Sequence, residues 1–301
     1  MIKSDQWLRS YLFVPGDSER KLAAAEASQA DALILDLEDS IALERKAAAR
    51  SMVAEFLRSA GRERPCFIRM NGYDTGLALK DLCCVLPARP DGIVLPKCSG
   101  LDDVLRLDYY LQALEAQHGL AVSSTSMIPI VTETAKSVMA LGSYGHHPPR
   151  VFGFMWGAED LSGQIGACRT KNAGAYRGPF AWTREAFLFA CHAAGVAAID
   201  AVYIDIKDVT GLQHESAEAR IDGFSGKVAI HPSQCPVINE SFLPTPEEVA
   251  WAEEVRRLLT NSKTGVAVVD GQMVDKPHLA RAEKILSSLA RRVAAPHQER
   301  T

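Results

Sequence analysis

The 301-residue chain lacks several things that would have fixed its class at once. No apolar run approaches the ~20 residues of a membrane-spanning helix. The N-terminus MIKSDQWLRS has no apolar signal core, so secretion is not expected. No Lys/Arg block interrupts a sequence of net charge −4, which offers no footprint for nucleic acid or for an anionic membrane surface. Cysteine number is odd at seven, no CxxC occurs, and the adjacent Cys83 and Cys84 are poorly placed for an unstrained bridge. Reduced thiols in a cytoplasmic protein are the expectation. There is no GxGxxG turn after the first strand-like run, no Gly-rich phosphate cradle, no HExxH and no paired CxxC, so the usual nucleotide and zinc readings have no support.

What is present is an ordinary globular composition, 47% hydrophobic and 23% charged, ample for a large core. Short apolar runs recur at 11–14, 32–35, 66–68, 92–95, 127–131, 151–156, 196–204 and 228–230. They are rich in β-branched and aromatic residues and mostly do not alternate, as expected for strands buried on both faces of a parallel sheet. Between them lie amphipathic helical stretches such as SERKLAAAEASQA, ERKAAARSMVAEFLRSA, LDDVLRLDYYLQALEAQ and REAFLFACHAAG. About eight alternations within roughly 230 residues make a single (β/α)8 TIM barrel, an α/β fold, the economical reading, with a doubly wound sheet as the alternative.

The pattern changes after HPSQ. TPEEVAWAEEVRRLLTNS opens with a Thr-Pro-Glu-Glu helix start. VAVVDGQMVD carries an Asp270-Gly271 hairpin signal. KPHLARAEKILSSLARRV is a further amphipathic helix. The chain is therefore divided into a barrel over 1–239 and a C-terminal helical and hairpin extension over 240–301, too short to bury much by itself.

In such a barrel the chemistry lies where strands end. The residues just past the runs are Pro15 and Gly16; Asp36, Glu38 and Asp39; Arg69 and Asn71; Pro96 and Lys97; Thr132 and Glu133; Gly157, Glu159 and Asp160; Asp200, with the run ending near Asp205; and His231 with Pro232. So many acids at one mouth invite a counter-charge. A hard divalent cation such as Mg²⁺ takes oxygen ligands, usually one or two carboxylates with waters or substrate oxygens. Glu133 with Glu159 or Asp160, from adjacent runs, form the natural pair. Arg69 then serves as an electrophile or carboxylate clamp. As plain structure, the same acids are N-caps and ion pairs, and Glu133 before a helical stretch suits the helix dipole. His231 is ambiguous in the same way, a His before Pro at a strand end being most often a packed structural residue. Lys97 after Pro96 stands where a Schiff-base lysine could, but the polar Cys-Ser-Gly turn that follows it does not offer the desolvation such a lysine needs.

These strand-end segments, RSYLFVPGDSERK, DALILDLEDSI, FIRMN, DGIVLPK, VTET, WGAEDLSGQIG, GFSGKVAIHPSQ and VDGQMVDKP, follow one another from Arg9 to about Ile285. Together they resemble the citrate lyase β-subunit-like CoA-ester lyases of the HpcH/HpaI aldolase superfamily, which include malyl-CoA and citramalyl-CoA lyases. The resemblance implies a (β/α)8 barrel that holds Mg²⁺ on Glu133 and Asp160. It implies that Arg69 binds substrate and stabilises an enolate oxygen. It further implies a trimer in which the C-terminal segment reaches a neighbour, where Asp275 completes that neighbour's site. The chain departs from the family in PKCSG, which lacks the acid common after that lysine, and in KNAGAYRGPFAW, which replaces a longer charged loop.

The chemistry expected of these residues is carbon–carbon cleavage of a 3-hydroxyacyl-CoA thioester of malyl-, citramalyl- or citryl-CoA type, giving acetyl- or acyl-CoA and a 2-keto acid, or the reverse condensation. Arg69 and Asp275 are the candidate catalytic residues, Asp275 as proton donor to the enolate carbon. Arg69, Glu133, Glu159 and His231 are the candidate substrate contacts. Asp36, Glu38 and Asp39 are placed to orient Arg69 and water on the metal. Two other readings stay open: a metal-dependent aldolase of free 2-keto acids, and a β-subunit that works only inside a citrate lyase complex.

Overall fold

The computed structural model describes residues 7–59, 64–172, 174–262 and 264–294, with the side chains of 290–294 excepted. Residues 1–6, most of the stretch read for a secretory signal, lie outside it. The first unit runs from β1 (Ser10–Pro15) through α1 (Glu19–Glu26), β2 (Ala32–Asp36), α2 (Lys46–Arg58), β3 (Cys66–Arg69), α3 (Ala78–Val85), β4 (Gly92–Leu95), α4 (Leu101–Gln117), β5 (Ser126–Pro129), α5 (Ala135–Met139), β6 (Gly153–Met155) and α6 (Glu159–Ile165). A small hairpin follows, β7 (Lys171–Asn172) and β8 (Ala175–Tyr176), then α7 (Pro179–Ala194), β9 (Ala197–Asp200), α8 (Val209–Asp222), β10 (Gly226–Ala229) and α9 (Gln234–Ser241).

Eight of these strands form one parallel sheet in the order β5-β4-β3-β2-β1-β10-β9-β6. The two ends of that order meet: Met127 bridges Val151 and Ile130 bridges Met155, both in parallel sense. Val131 N donates to Met155 O at 2.9 Å and Phe152 N to Met127 O at 2.9 Å. The sheet thus closes into the (β/α)8 barrel that the alternating runs predicted.

Side-chain alternation then divides each strand between two environments. Tyr11, Ala32, Ile34, Phe67, Val94, Ile128, Met155, Ile199 and Val228 share one buried cluster, the filled interior of the barrel. Their neighbours in sequence face the helices. Strands β2, β4, β5, β6 and β10 are buried at every position, which explains why their sequences do not alternate. The seventh run is the exception to the expected boundaries. Its strand stops at Asp200, and Ala201–Asp205 continues without regular structure.

The chain divides into two compact units between Asn239 and Glu240. The second holds α10 (Pro246–Thr260), β11 (Ala267–Val269), β12 (Gln272–Val274) and α11 (Lys276–Ala294). Thr245 caps α10 through a reciprocal pair with Glu248. Asp270 and Gly271 both take positive φ, 49° and 76°, as a tight hairpin turn requires. Ala252, Val255, Val269, Val274 and Ala282 form this unit's own small core. No helix among the described residues is long and apolar enough to cross a membrane.

Candidate active site at the barrel mouth

Arg69, the last residue of β3, is the best-determined side chain at the mouth. Its register partner is Asp36, the last residue of β2. The pairing is bidentate: Nε to Asp36 Oδ1 at 2.7 Å and Nη2 to Asp36 Oδ2 at 2.7 Å. Nη1 lies 3.0 Å from Glu38 Oε2, an ion pair without hydrogen-bond alignment. The guanidinium plane lies over the Phe13 ring, 4.6 Å from its centroid. Burial opposes the charge on Arg69, but Asp36, Glu38 and Glu133 more than offset it and raise its pKa. Two of the five N–H donors go to Asp36, so the fork is fixed while other donors stay free for a ligand.

The acids that hold Arg69 are themselves held. Asp36 accepts from Glu38 N at 2.9 Å, Ser40 N at 3.1 Å and Ser40 Oγ at 2.6 Å. Burial disfavours its ionised form, yet the Arg69 contacts, with Ser40 and the Glu38 amide, hold its pKa below the ordinary value. Lys46 Nζ donates to the carbonyls of Leu37 at 2.7 Å and Glu38 at 2.6 Å. Asn71 Nδ2 donates to the Leu37 carbonyl at 2.9 Å and to Asp81 Oδ2 at 2.6 Å. Asp81, fully buried on α3, in turn pairs with Arg50 at 3.0 Å. The loop after β2 is therefore clamped from α2, β3 and α3. This accounts for two of the three carboxylates at the end of the apolar run: Asp36 and Glu38 are buried in a polar nest, and Asp39 is exposed.

Glu133 follows β5, just ahead of Thr134, which caps α5 by a reciprocal pair with Ser137. Thr134, not Glu133, is thus the N-cap. Glu133 is buried, and its Oε2 accepts from the backbone N–H of Lys97. Burial, with the charge of Asp160 next in weight, pushes its pKa up to about 8. Asp160 opens α6 and is partly exposed. Thr132 Oγ1 accepts from Gly157 N at 3.0 Å, which ties the loop bearing Glu133 to the loop bearing Asp160.

Lys97 was the least settled residue in the sequence. Its backbone is left-handed, φ 51°. Its ammonium donates to Glu38 Oε1 and to Asp39 at 3.2 and 3.3 Å, and lies 3.9 Å from Asp160 Oδ1. Burial would lower its pKa, but Glu38 and Asp39 raise it. A Schiff-base lysine must be available as neutral amine, and these carboxylates oppose that.

The other candidates are placed elsewhere. Glu159 is exposed on the first turn of α6, and its charge is felt at Tyr176. His231 is exposed in a local turn, with Nδ1 2.7 Å from Ser233 Oγ. Asp200, expected at the mouth, is turned out of the barrel because Ile199 takes the interior position. It is fully buried against Lys227 at 2.7 Å and Trp156 Nε1 at 2.7 Å. In the second unit, Asp275 Oδ1 lies 2.7 Å from His278 Nδ1. Sequence reading missed His278, Ser40 and Asp81. Only Asp81 left a signal, an acid on the apolar side of a helix.

Among the described residues no three Asp, Glu, His or Cys side chains converge into a complete cation cage. The donor set nonetheless fits an open Mg²⁺ site, which needs one or two carboxylates and fills the rest with water or ligand oxygens. Burial first, and the charge of Asp160 second, raise the pKa of Glu133, and a cation held between these two acids would favour their ionised forms.

A closed barrel with a fixed arginine beside an acid pair at its C-terminal mouth is the architecture of an aldolase- or lyase-type enzyme. The chain belongs to the HpcH/HpaI aldolase/citrate lyase family, whose model matches residues 9–232. It is 36% identical over 279 residues to a citrate lyase subunit beta-like protein of Mycobacterium tuberculosis, covering 92% of this chain and 93% of that one. It is 32% identical over 298 residues to the mitochondrial citramalyl-CoA lyase of Rattus norvegicus, covering 93% and 85% of the two chains. Its fold matches the crystal structure of CitE from Mycobacterium tuberculosis in complex with magnesium, acetoacetate and coenzyme A, with a TM-score of 0.77, 33% identity and coverage of 94% and 98%.

Proposed function

We propose that this chain is a Mg²⁺-dependent carbon–carbon lyase of a 3-hydroxyacyl-CoA thioester of malyl-, citramalyl- or citryl-CoA type, running in cleavage or in condensation. The observation that carries the reading is Arg69, locked by Asp36 and stacked on Phe13, at the same mouth as the buried carboxyl of Glu133. The relatives' activities and the magnesium, acetoacetate and coenzyme A bound by CitE support it.

Cleavage breaks the bond between the carbinol carbon and the carbon next to the thioester. The hydroxyl passes its proton to solvent water and becomes the keto group of a 2-keto acid. The bonding pair passes to the thioester as an enolate, which then takes a proton at carbon. Glu133 and Asp160 would hold Mg²⁺, whose chemistry is to polarise the oxygen on the carbinol carbon and neutralise the neighbouring carboxylate. Arg69 directs its free N–H donors to the thioester oxygen as negative charge develops there, an interaction typically worth about 3 kcal/mol in a dry site. Asp36 and Glu38 keep the fork in place, so little reorganisation accompanies the reaction. Asp275 of a neighbouring protomer supplies the proton to the enolate carbon, or removes it in the condensing direction.

We further read the assembly as a homotrimer. The outer face of the β11–β12 hairpin supports this, because Val268 and Met273 pair across the strands with both side chains largely exposed. Seven free cysteines, four of them buried, suit a reducing cytoplasmic setting. The test is turnover by the purified single chain. It should cleave at least one of malyl-, citramalyl- and citryl-CoA with added Mg²⁺, lose that turnover in EDTA, and leave the free hydroxy acids intact. Cleavage of the free acids alone would make it an aldolase. Inactivity until other subunits are added would make it a component of a citrate lyase complex.

A further inference from the structure

Lys97 joins three parts of the mouth that no other described residue joins. It ends the β4 segment, and its left-handed φ of 51° is one that a residue with a side chain adopts at a cost. That conformation points its backbone N–H at Glu133 Oε2 while its side chain runs to the loop after β2. The ammonium then sits among Glu38, Asp39 and, at 3.9 Å, Asp160 Oδ1. Glu38 and Asp160 come from opposite sides of the mouth, and the Lys97 ammonium stands between them. Glu38 is additionally engaged by Arg69, whereas Asp160 has Lys97 as its nearest positive group.

A lysine ammonium is a compact point charge, and in this place it stands next to a carboxylate that a divalent cation would use. The two cations repel. At separations of a few ångström in a half-buried mouth, that repulsion outweighs what the screening of water removes. The amide contact acts in the opposite sense, because it orients the Glu133 carboxylate before any cation arrives.

We propose that Lys97 is a positioning residue that sets the divalent-cation affinity of this site, its amide fixing Glu133 and its ammonium acting as a resident counter-charge that an entering Mg²⁺ must displace or tolerate at Asp160. The inference rests on the reading of Glu133 and Asp160 as the cation ligands. It gives the strained backbone a purpose: at φ 51° this one residue reaches Glu133 with its N–H and the Glu38–Asp39–Asp160 group with its tip.

The experiment measures Mn²⁺ binding to the metal-free full-length protein by the loss of free-ion EPR signal, with Mg²⁺ as competitor and no substrate present. Lys97→Met keeps the aliphatic stem and removes the charge. Lys97→Gly removes the whole side chain but retains the N–H and accepts the left-handed backbone readily. Both variants should bind Mn²⁺ at least about tenfold more tightly than wild type at low ionic strength, and the gain should shrink as salt is raised. Distortion of the site would weaken binding, so a merely structural role cannot produce this result. Unchanged or weaker binding by both folded variants, with wild type binding normally, would overturn the role of Lys97 and leave the proposed function standing. Failure of wild type itself to bind Mn²⁺ or Mg²⁺ would instead remove that function, and this inference with it.

Discussion

Arg69 draws its usefulness from what surrounds it. An arginine on a strand end is normally a flexible surface group. Here it has lost that freedom to Asp36 on one edge, Glu38 on another and Phe13 beneath. Asp36→Asn tests this support. The fold should survive, because Ser40 and the Glu38 amide still meet a polar side chain. Arg69 would lose its bidentate anchor, and kcat/KM should fall about 10- to 100-fold, as for other supporting groups around a reacting centre. The same substitution has a pH signature. The folded-state pKa of Asp36 lies below its ordinary value of 3.8, so its ionised form contributes stability above that value and loses it as the pH falls through the folded pKa. Urea titrations should therefore show wild type more stable than Asp36→Asn at pH 7, with the gap closing below about pH 3.8. A gap that stays constant across the acid range would mean that Asp36 is not held as a carboxylate by Arg69.

The elements were largely legible, for a physical reason. Strands buried on both faces must be apolar throughout, so eight short runs announce eight strands, and α4 begins and ends where its sequence pattern does. The register of strand ends was legible too, and with it Asp36, Arg69, Lys97, Glu133 and Asp160 at one mouth. Features that depend on which way a side chain turns were not. The β7–β8 hairpin has only two residues per strand, too few to show a period. Its Lys171 lies over the rings of Tyr176 and Tyr203 at 4.4 and 5.0 Å and pairs with Glu215 on α8, contacts that no local pattern encodes. The sequence places Asp200 among the groups at the mouth and does not single out Lys227. They are fully buried on the outer face of β9 and β10, where Lys227 bridges Asp200 at 2.7 Å and Glu215 at 2.9 Å. This network fastens two strands to α8. Lys227→Met should leave two carboxylates short of their partner and cost about 3–5 kcal/mol, seen as a lower urea midpoint with an unchanged slope. A cost below about 1 kcal/mol would show that Trp156, with Arg184 of α7 whose Nε lies 3.5 Å from Asp200 Oδ1, suffices for Asp200.

At the scale of the molecule, the second unit poses the question the barrel leaves open. It has its own core of Ala252, Val255, Val269, Val274 and Ala282, yet one face of its hairpin presents Val268 and Met273 outward. Asp275 follows that hairpin directly, and its Oδ1 lies 2.7 Å from His278 Nδ1. The proposed trimer would bring this carboxylate to the mouth of a neighbour's barrel. Mixing two inactive proteins tests this. Arg69→Ala chains retain Asp275, and Asp275→Asn chains retain Arg69. In a closed ring where each site takes its barrel from one chain and its tail from the next, random exchange at equal amounts pairs an intact Arg69 with an intact Asp275 in about a quarter of the sites. Activity should rise from near zero towards that fraction of the wild-type rate as subunits exchange, and a fluorescence-labelled pair can report the exchange independently. If exchange is complete and activity does not return, Asp275 acts within its own chain or has no part in the reaction, and separate steady-state kinetics of Asp275→Asn would tell these apart: full activity would remove it from the mechanism, and a lost kcat would place it in the site of its own protomer.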